Sequence, residues 1–398
     1  MQLFHKYHIH EMHKLFYTKF HLFELSIWLH VFGRSMISIF IPIFLLKIGY
    51  SIPSVLVFYL IYNIFDFPLN FVAKWLIEKI GGRRVLMIGT LSIILFFLGL
   101  YSLEFGNWMM FVIMAFLFAV YDACYWVAHL YLFMICSKER ASTSRDTSIL
   151  YIAKRIAGVL SPLFGALILI FFSKSILIVI SIIILLLSIW PLFKIKNIKD
   201  KPDKRKNTSM HKFFASVKDA RAHILYGLLS FHNVAEGIIW PIFIYTVFKS
   251  FESVAIIPIL VSLTAIFFSY FTGKVKKSNR GKVISIAAFF ISIIWILRLV
   301  LDSSIFYYAS IVLIGLFSIM ITLPIDAEIF EKGEEKDPLA ASTYRNAFSM
   351  FPRIFFYSFL ILFLNVFNIS FIVAAISLFA MVFITFFILY KKRPQIVK

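Results

Sequence analysis

Lys194-Ile195-Lys196-Asn197-Ile198-Lys199-Asp200-Lys201-Pro202-Asp203-Lys204-Arg205-Lys206 stands almost at the midpoint of the 398-residue chain. With the polar residues that follow, to about Arg221, it is a long stretch that cannot sit in hydrocarbon. On both sides lie apolar segments parted by short polar joints. The composition is 61% apolar and only 15% charged, with a mean hydropathy of +0.90. A soluble fold has too little interior for that much apolar surface, whereas a bilayer accepts it on all sides. The chain therefore reads as two membrane-embedded halves joined by one basic linker.

A crossing of the hydrocarbon needs about 20 apolar residues. That ruler gives spans at 23–46, 52–76, 85–103, 108–135, 148–171 and 176–193, then 224–248, 255–271, 283–301, 305–330, 347–367 and 372–389. The expected fold is an all-α integral membrane protein of twelve transmembrane helices. Residues 1–22 form an N-terminal tail, 23–193 a six-helix bundle, 194–222 the linker, 223–390 a second six-helix bundle and 391–398 a C-terminal tail. No segment alternates polar and apolar residues as a barrel strand would. The first 22 residues lack the short apolar core and cleavage site of a signal peptide, so the first span is expected to stay uncleaved.

The formal net charge of +20 raises the question of nucleic acid, and the distribution answers it. Lys and Arg gather in the tails and in every second joint, while the intervening joints hold only Lys47, Lys174 and Lys249. Cationic loops translocate poorly, so this alternation puts both termini and the linker in the cytoplasm. A nucleic-acid surface would gather its cations on one face with aromatics between them, and that reading is set aside. Cys124 and Cys136 lack metal or redox spacing and read as small apolar residues. His5, His8, His10, His13 and His21 have no acidic or cysteine ligands at a diagnostic spacing. A segment lying on the bilayer surface is preferred there to a metal-sensing tail. No metal site and no cofactor are expected.

The halves repeat. Ile41-Pro42-Ile43-Phe44 returns as Trp240-Pro241-Ile242-Phe243 at an offset of 199. Ala141-Ser142-Thr143-Ser144-Arg145-Asp146 returns as Ala341-Ser342-Thr343-Tyr344-Arg345-Asn346 at 200, and Arg155 as Arg353 at 198. Six spans per half, an even number, makes the two repeats parallel, related by an axis along the membrane normal. With the basic linker, this arrangement resembles the major facilitator superfamily of secondary transporters over essentially all of Phe23 to Tyr390.

Two local motifs carry the resemblance further. Lys74-Trp75-Leu76-Ile77-Glu78-Lys79-Ile80-Gly81-Gly82-Arg83-Arg84 looks like the family's G-x-x-x-D-[RK]-x-G-[RK]-[RK]. The likeness makes Glu78 the acid, Lys79 a base and Gly81 the turn glycine, with Lys74 and Gly82 as departures. It implies a latch, in which Glu78 pairs with bases or a helix N-terminus of the other half. Arg83, Arg145, Arg155, Asp326, Arg345 and Arg353 complete a candidate cytoplasmic gate, with Asp326 pairing to Arg345 or Arg353. In the fifth span Ala157-Gly158-Val159-Leu160-Ser161-Pro162-Leu163-Phe164-Gly165-Ala166 is similar to the G-x-x-x-G-P-x-x-G-G motif of proton-coupled antiporters. Gly158, Ser161 and Gly165 would let helices approach closely and Pro162 would permit a kink.

Ionisable groups within spans are costly and invite a functional reading. Arg34, Asp66, Asp122 and Glu236 lie midway along theirs, with His232 and Asn233 one turn before Glu236. If spans one, four and seven border a central cavity as in the family, then Arg34, Asp122 and Glu236 share it. Glu236 or Asp66 would carry a proton, and Arg34 would bind an anionic group or hold Asp122. For Arg34, Asp122 and Asp66 a purely packing role weighs equally. Arg298 reads as a snorkelling residue near a helix end.

The function expected is alternating-access transport of a small solute, coupled to protons, with a lean towards efflux by antiport. A lipid flippase or an importing symporter stays open, and the substrate ranges from amphipathic drugs or lipids to a carboxylate or phosphate ester. An integral-membrane enzyme would need catalytic groups clustered in an interfacial loop, and the external joints are too short for one. No G-x-x-x-x-G-K-[ST] loop supports ATP-driven transport. The partners expected are the bilayer, the solute and protons, for a monomer in the cytoplasmic membrane of a prokaryote.

Overall fold

A computed structural model describes residues 19–138, 143–195, 201–202, 209–214, 217–273 and 275–390. In the first half the helices are α1 (Lys19–Ser38), α2 (Ile41–Ile48), α3 (Ile52–Ile80), α4 (Gly82–Ser102), α5 (Trp108–Lys138), α6 (Thr143–Phe171) and α7 (Lys174–Lys194). A short α8 (Met210–Phe213) follows the linker. The second half contains α9 (Val217–Val234), a π-helical turn (Ala235–Ile239), α10 (Trp240–Phe248), α11 (Phe251–Gly273), α12 (Arg280–Val300), α13 (Ser304–Glu335), α14 (Pro338–Ile361) and α15 (Val366–Tyr390). Among the described residues ten helical segments are long and apolar enough to cross a membrane. The helices α6 and α14 occupy the places expected of the fifth and eleventh spans, but polar residues interrupt their N-terminal halves, Thr143 to Asp146 in α6 and Ser342, Thr343, Arg345 and Asn346 in α14.

Two expected straight spans are broken, and proline accounts for both. Its ring collides with the carbonyl four residues back and offers no N–H to it. Ahead of Pro42 the helix lapses into a turn between Ser38 and Ile41, and ahead of Pro241 it widens into the π-helical turn. The repeated Pro-Ile-Phe thus marks equivalent interruptions in the two halves.

The neighbour scheme is also repeated. In the first half the first span (α1 with α2) packs on α6 and α7, α3 on α5, and α4 on α5 and α7. In the second, the seventh span (α9 with α10) packs on α14 and α15, α11 on α13, and α12 on α13 and α15. The most extensive seams between the halves are α3 against α14 and α6 against α11, which exchange under the same correspondence, and α5 also touches α13 and α14. Outward positions are large and apolar: Met109, Phe171, Phe193 and Ile305 are each more than two-thirds exposed. On a soluble surface such a belt would drive aggregation, whereas lipid accommodates it.

Close helix approaches within and between the halves depend on small residues. A Cβ on Gly165 would lie 2.3 Å from the backbone oxygen of Met36 in α1, and one on Gly158 3.0 Å from Ser262 Oγ in α11. Ser161 buries its hydroxyl by donating to the Ala157 carbonyl at 2.5 Å. The fifth-span motif therefore acts in packing. Pro162 interrupts no helical run and lies inside α6.

Candidate binding cavity

Between the halves lies a cavity of about 530 Å³, lined from α1, α3, α5 and α6 on one side and from α9, α11 and α14 on the other. Outside its lining, aromatic contacts join the two halves at two places. Away from the linker, Phe251 at the start of α11 meets Phe40 and Phe44 with ring centroids 5.7 and 6.0 Å apart, and Lys47 lies 4.1 Å over its ring. At the linker end Phe133 of α5 meets Phe330 of α13 at 5.6 Å, and Met134 packs on Gly333.

Arg34, Asp122 and Asn233 line this cavity as expected, together with Gly158 and Pro162. The Arg34 guanidinium lies over Tyr121 and Trp126 at 5.4 and 5.9 Å, and its Nε is buried without a hydrogen-bond partner. Asp66 is fully buried beside the lining. Its Oδ1 accepts from Asn70 Nδ2 at 3.2 Å, its Oδ2 has no partner, and Asp122 faces it from α5.

Three expected roles need correction. Glu236 is not part of the lining; its Oε2 accepts from Arg298 Nη1 at 2.6 Å within the second half. Arg298 does not snorkel. It is buried against the faces of Trp240 and Trp295, 3.5 and 4.5 Å away, and also donates to Ser310. His232 is a packing residue: its Nδ1 accepts from Trp295 Nε1 at 3.0 Å, which leaves Nε2–H to donate to Ser318 at 3.1 Å. Glu236 and Arg298 are 62 residues apart, so sequence proximity held no sign of the pair.

Arg353 moves the other way, from the expected gate into the cavity. The physical reason is where its helix starts. Asp337 caps α14 by accepting from the N–H groups of Leu339 and Ala340, with Pro338 in the first turn. Arg353 is consequently four turns in, about 22 Å along the axis. Its Nε is buried and unpartnered, Nη1 comes 3.9 Å from Met350 Sδ, and Tyr62, Tyr226, Tyr357 and Asp122 surround it. The Asp337-Pro338 pair was a legible start signal. The cavity tyrosines had none, because tyrosine is common throughout the chain.

The gate residues are only partly brought together. Arg345 donates from Nε and Nη2 to Asp326 Oδ1 at 3.0 and 2.9 Å, stands 4.2 Å over Tyr226, and lines the cavity. This pair links α13 to α14 within one half. Glu78 meets Lys74 of its own helix at 4.0 Å, so the expected cross-half pairing of Glu78 is not present among the described residues. Instead Lys74 reaches Tyr344 of α14, 6.0 Å from its ring. Lys79 rests on Trp75 and Arg83 donates to the Ile195 carbonyl. Gly81 has φ +93° and ψ 155°, a region open essentially to glycine alone. Arg145 and Arg155 lie on α6, their side chains outside the described residues, as are the tail histidines.

The sequence matches the family model described as Major Facilitator Superfamily over residues 24–335. The chain belongs to that superfamily. Among curated proteins none matches its sequence. Among solved structures, the crystal structure of the human organic anion transporter MFSD10 (TETRAN) is similar, with a TM-score of 0.66. That match has 10% identity and covers 93% of this chain and 98% of the human one. At that identity it establishes a shared fold. Membership of the superfamily makes the chain a multi-pass membrane transporter.

Proposed function

We propose that the protein is a proton-coupled secondary transporter that carries a small solute by alternating access. The observation that carries this reading is the cavity lined from both halves, with the halves also joined outside it by two separate sets of contacts, Phe251 with Phe40 and Phe44 and Phe133 with Phe330. Rocking about the seams would open one end while the other holds. In this reading twelve spans form two parallel repeats, and the basic joints, linker and termini face the cytoplasm. The protein works as a monomer in the cytoplasmic membrane of a prokaryote.

Asp66 is the proton site in this proposal. A carboxyl in hydrocarbon is costly when charged, and Asp66 has no base within 4 Å among the described residues. Asp122 faces it from α5, so a second negative charge at Asp66 would be repelled as well as desolvated. Glu236 loses that role to its pairing with Arg298. The antiport lean rested on the fifth-span motif, whose glycines are explained by helix approach. Direction then follows from cargo charge. A proton beside the cavity favours an anion travelling with it and a cation travelling against it.

Reconstitution in liposomes with an imposed pH gradient tests this. Wild type should show gradient-driven solute flux and Asp66→Asn should lose the gradient dependence while still exchanging solute. Flux that ignores the gradient, with wild type and D66N alike, would remove the proton coupling.

A further inference from the structure

We infer that the cavity takes an aromatic organic anion, its carboxylate or phosphomonoester held between Arg34 of one half and Arg353 of the other. This rests on the transporter reading above and names its cargo. Three arginines line the cavity, and Arg345 is already neutralised by Asp326. Arg34 and Arg353 remain, facing the single lining carboxylate, Asp122. Asp66 stands behind Asp122 and is the group assigned the proton. The cavity therefore holds a surplus positive charge.

The donors point the same way as the charge. Both Nε–H groups are buried without partners, and neither guanidinium has a carboxylate within ion-pairing distance among the described residues. A guanidinium offers a planar fork that carboxylate and phosphate match in pairs of hydrogen bonds. Because the two come from opposite halves, an anion between them would tie the halves together at the centre of the rocking motion. The rest of the wall suits an aromatic body: Tyr59 and Tyr357 stack at 5.8 Å across the seam, with Tyr62, Tyr226, Phe118 and Trp126 around them. The volume accepts a ligand of drug size.

The test is equilibrium dialysis of radiolabelled naphthalene-2-carboxylate against full-length protein in phosphatidylcholine nanodiscs. Unlabelled 2-naphthyl phosphate, naphthalene-2-carboxamide and 2-naphthylmethylammonium serve as competitors. Saturable binding is expected, displaced by the phosphate, with the amide and ammonium weaker by about tenfold or more. Arg34→Gln and Arg353→Gln should each weaken carboxylate binding about tenfold and leave amide binding unchanged, with Arg→Lys in between. The inference is overturned by wild-type protein that binds amide or ammonium as well as carboxylate, by absence of saturable anion binding, or by glutamine variants that bind as wild type. Displacement of the probe by phosphatidylglycerol in the disc would overturn it too, since the anion would then be a lipid headgroup. Loss of gradient-driven flux with anion binding intact would strike the transporter reading alone.

Discussion

Glu236→Gln separates two explanations of a membrane-embedded carboxylate. The substitution leaves the Arg298 guanidinium, with a fully buried side chain, next to a neutral amide in place of its partner at 2.6 Å. Breaking a buried pair by removing one member costs about 3–5 kcal/mol. Here the lower end applies, because the Trp240 and Trp295 faces retain roughly 1–2 kcal/mol of cation–π attraction for Arg298. A loss of about 3 kcal/mol is a factor of roughly 150 in the folding equilibrium, and in a chain this long it lowers the melting midpoint by about 4 °C. Size-exclusion thermostability in detergent reads that shift. Replacing both partners, Glu236→Gln with Arg298→Met, should recover most of it, because no uncompensated charge then remains. Gradient-driven flux per folded molecule should stay at the wild-type level in both variants. If Glu236→Gln melts like wild type yet loses its response to the pH gradient, the pair is not structural and Glu236 is the proton carrier after all.

Other outcomes follow from the packing and the caps. Gly165→Ala must push α6 off the Met36 backbone and should cost about 3 kcal/mol. Gly158→Ala meets only the movable Ser262 hydroxyl and gains helix propensity, so its net change should stay within about 1 kcal/mol, and melting curves of the two variants compare them directly. Asp337→Ala removes a cap that accepts from two N–H groups and should cost about 1–2 kcal/mol. Hydrogen exchange should then rise in the first turns of α14, around residues 338–345, and not in α13.

Hydropathy and the 199-residue echo of Ile41-Pro42-Ile43-Phe44 made the membrane class and the family legible in the chain itself. Each of those signals is local or periodic, and the bilayer imposes it segment by segment. The breaks in the first and seventh spans were not readable from Pro42 and Pro241 alone, because Pro68, Pro258 and Pro352 lie inside continuous helices. Partnership was readable for Asp326 with Arg345 and not for the other buried polar groups. Glu236 looked unpartnered because Arg298 reaches it from another helix, and His232 looked available because Trp295 and Ser318 hold it from two more. Arg353 looked interfacial until the Asp337 cap fixed where its helix begins. A spacing along one helix says which face a residue shares, but its charge is satisfied or left over only when separate helices come to rest against one another. The cavity is that remainder: the charges of Arg34 and Arg353 that folding left without partners.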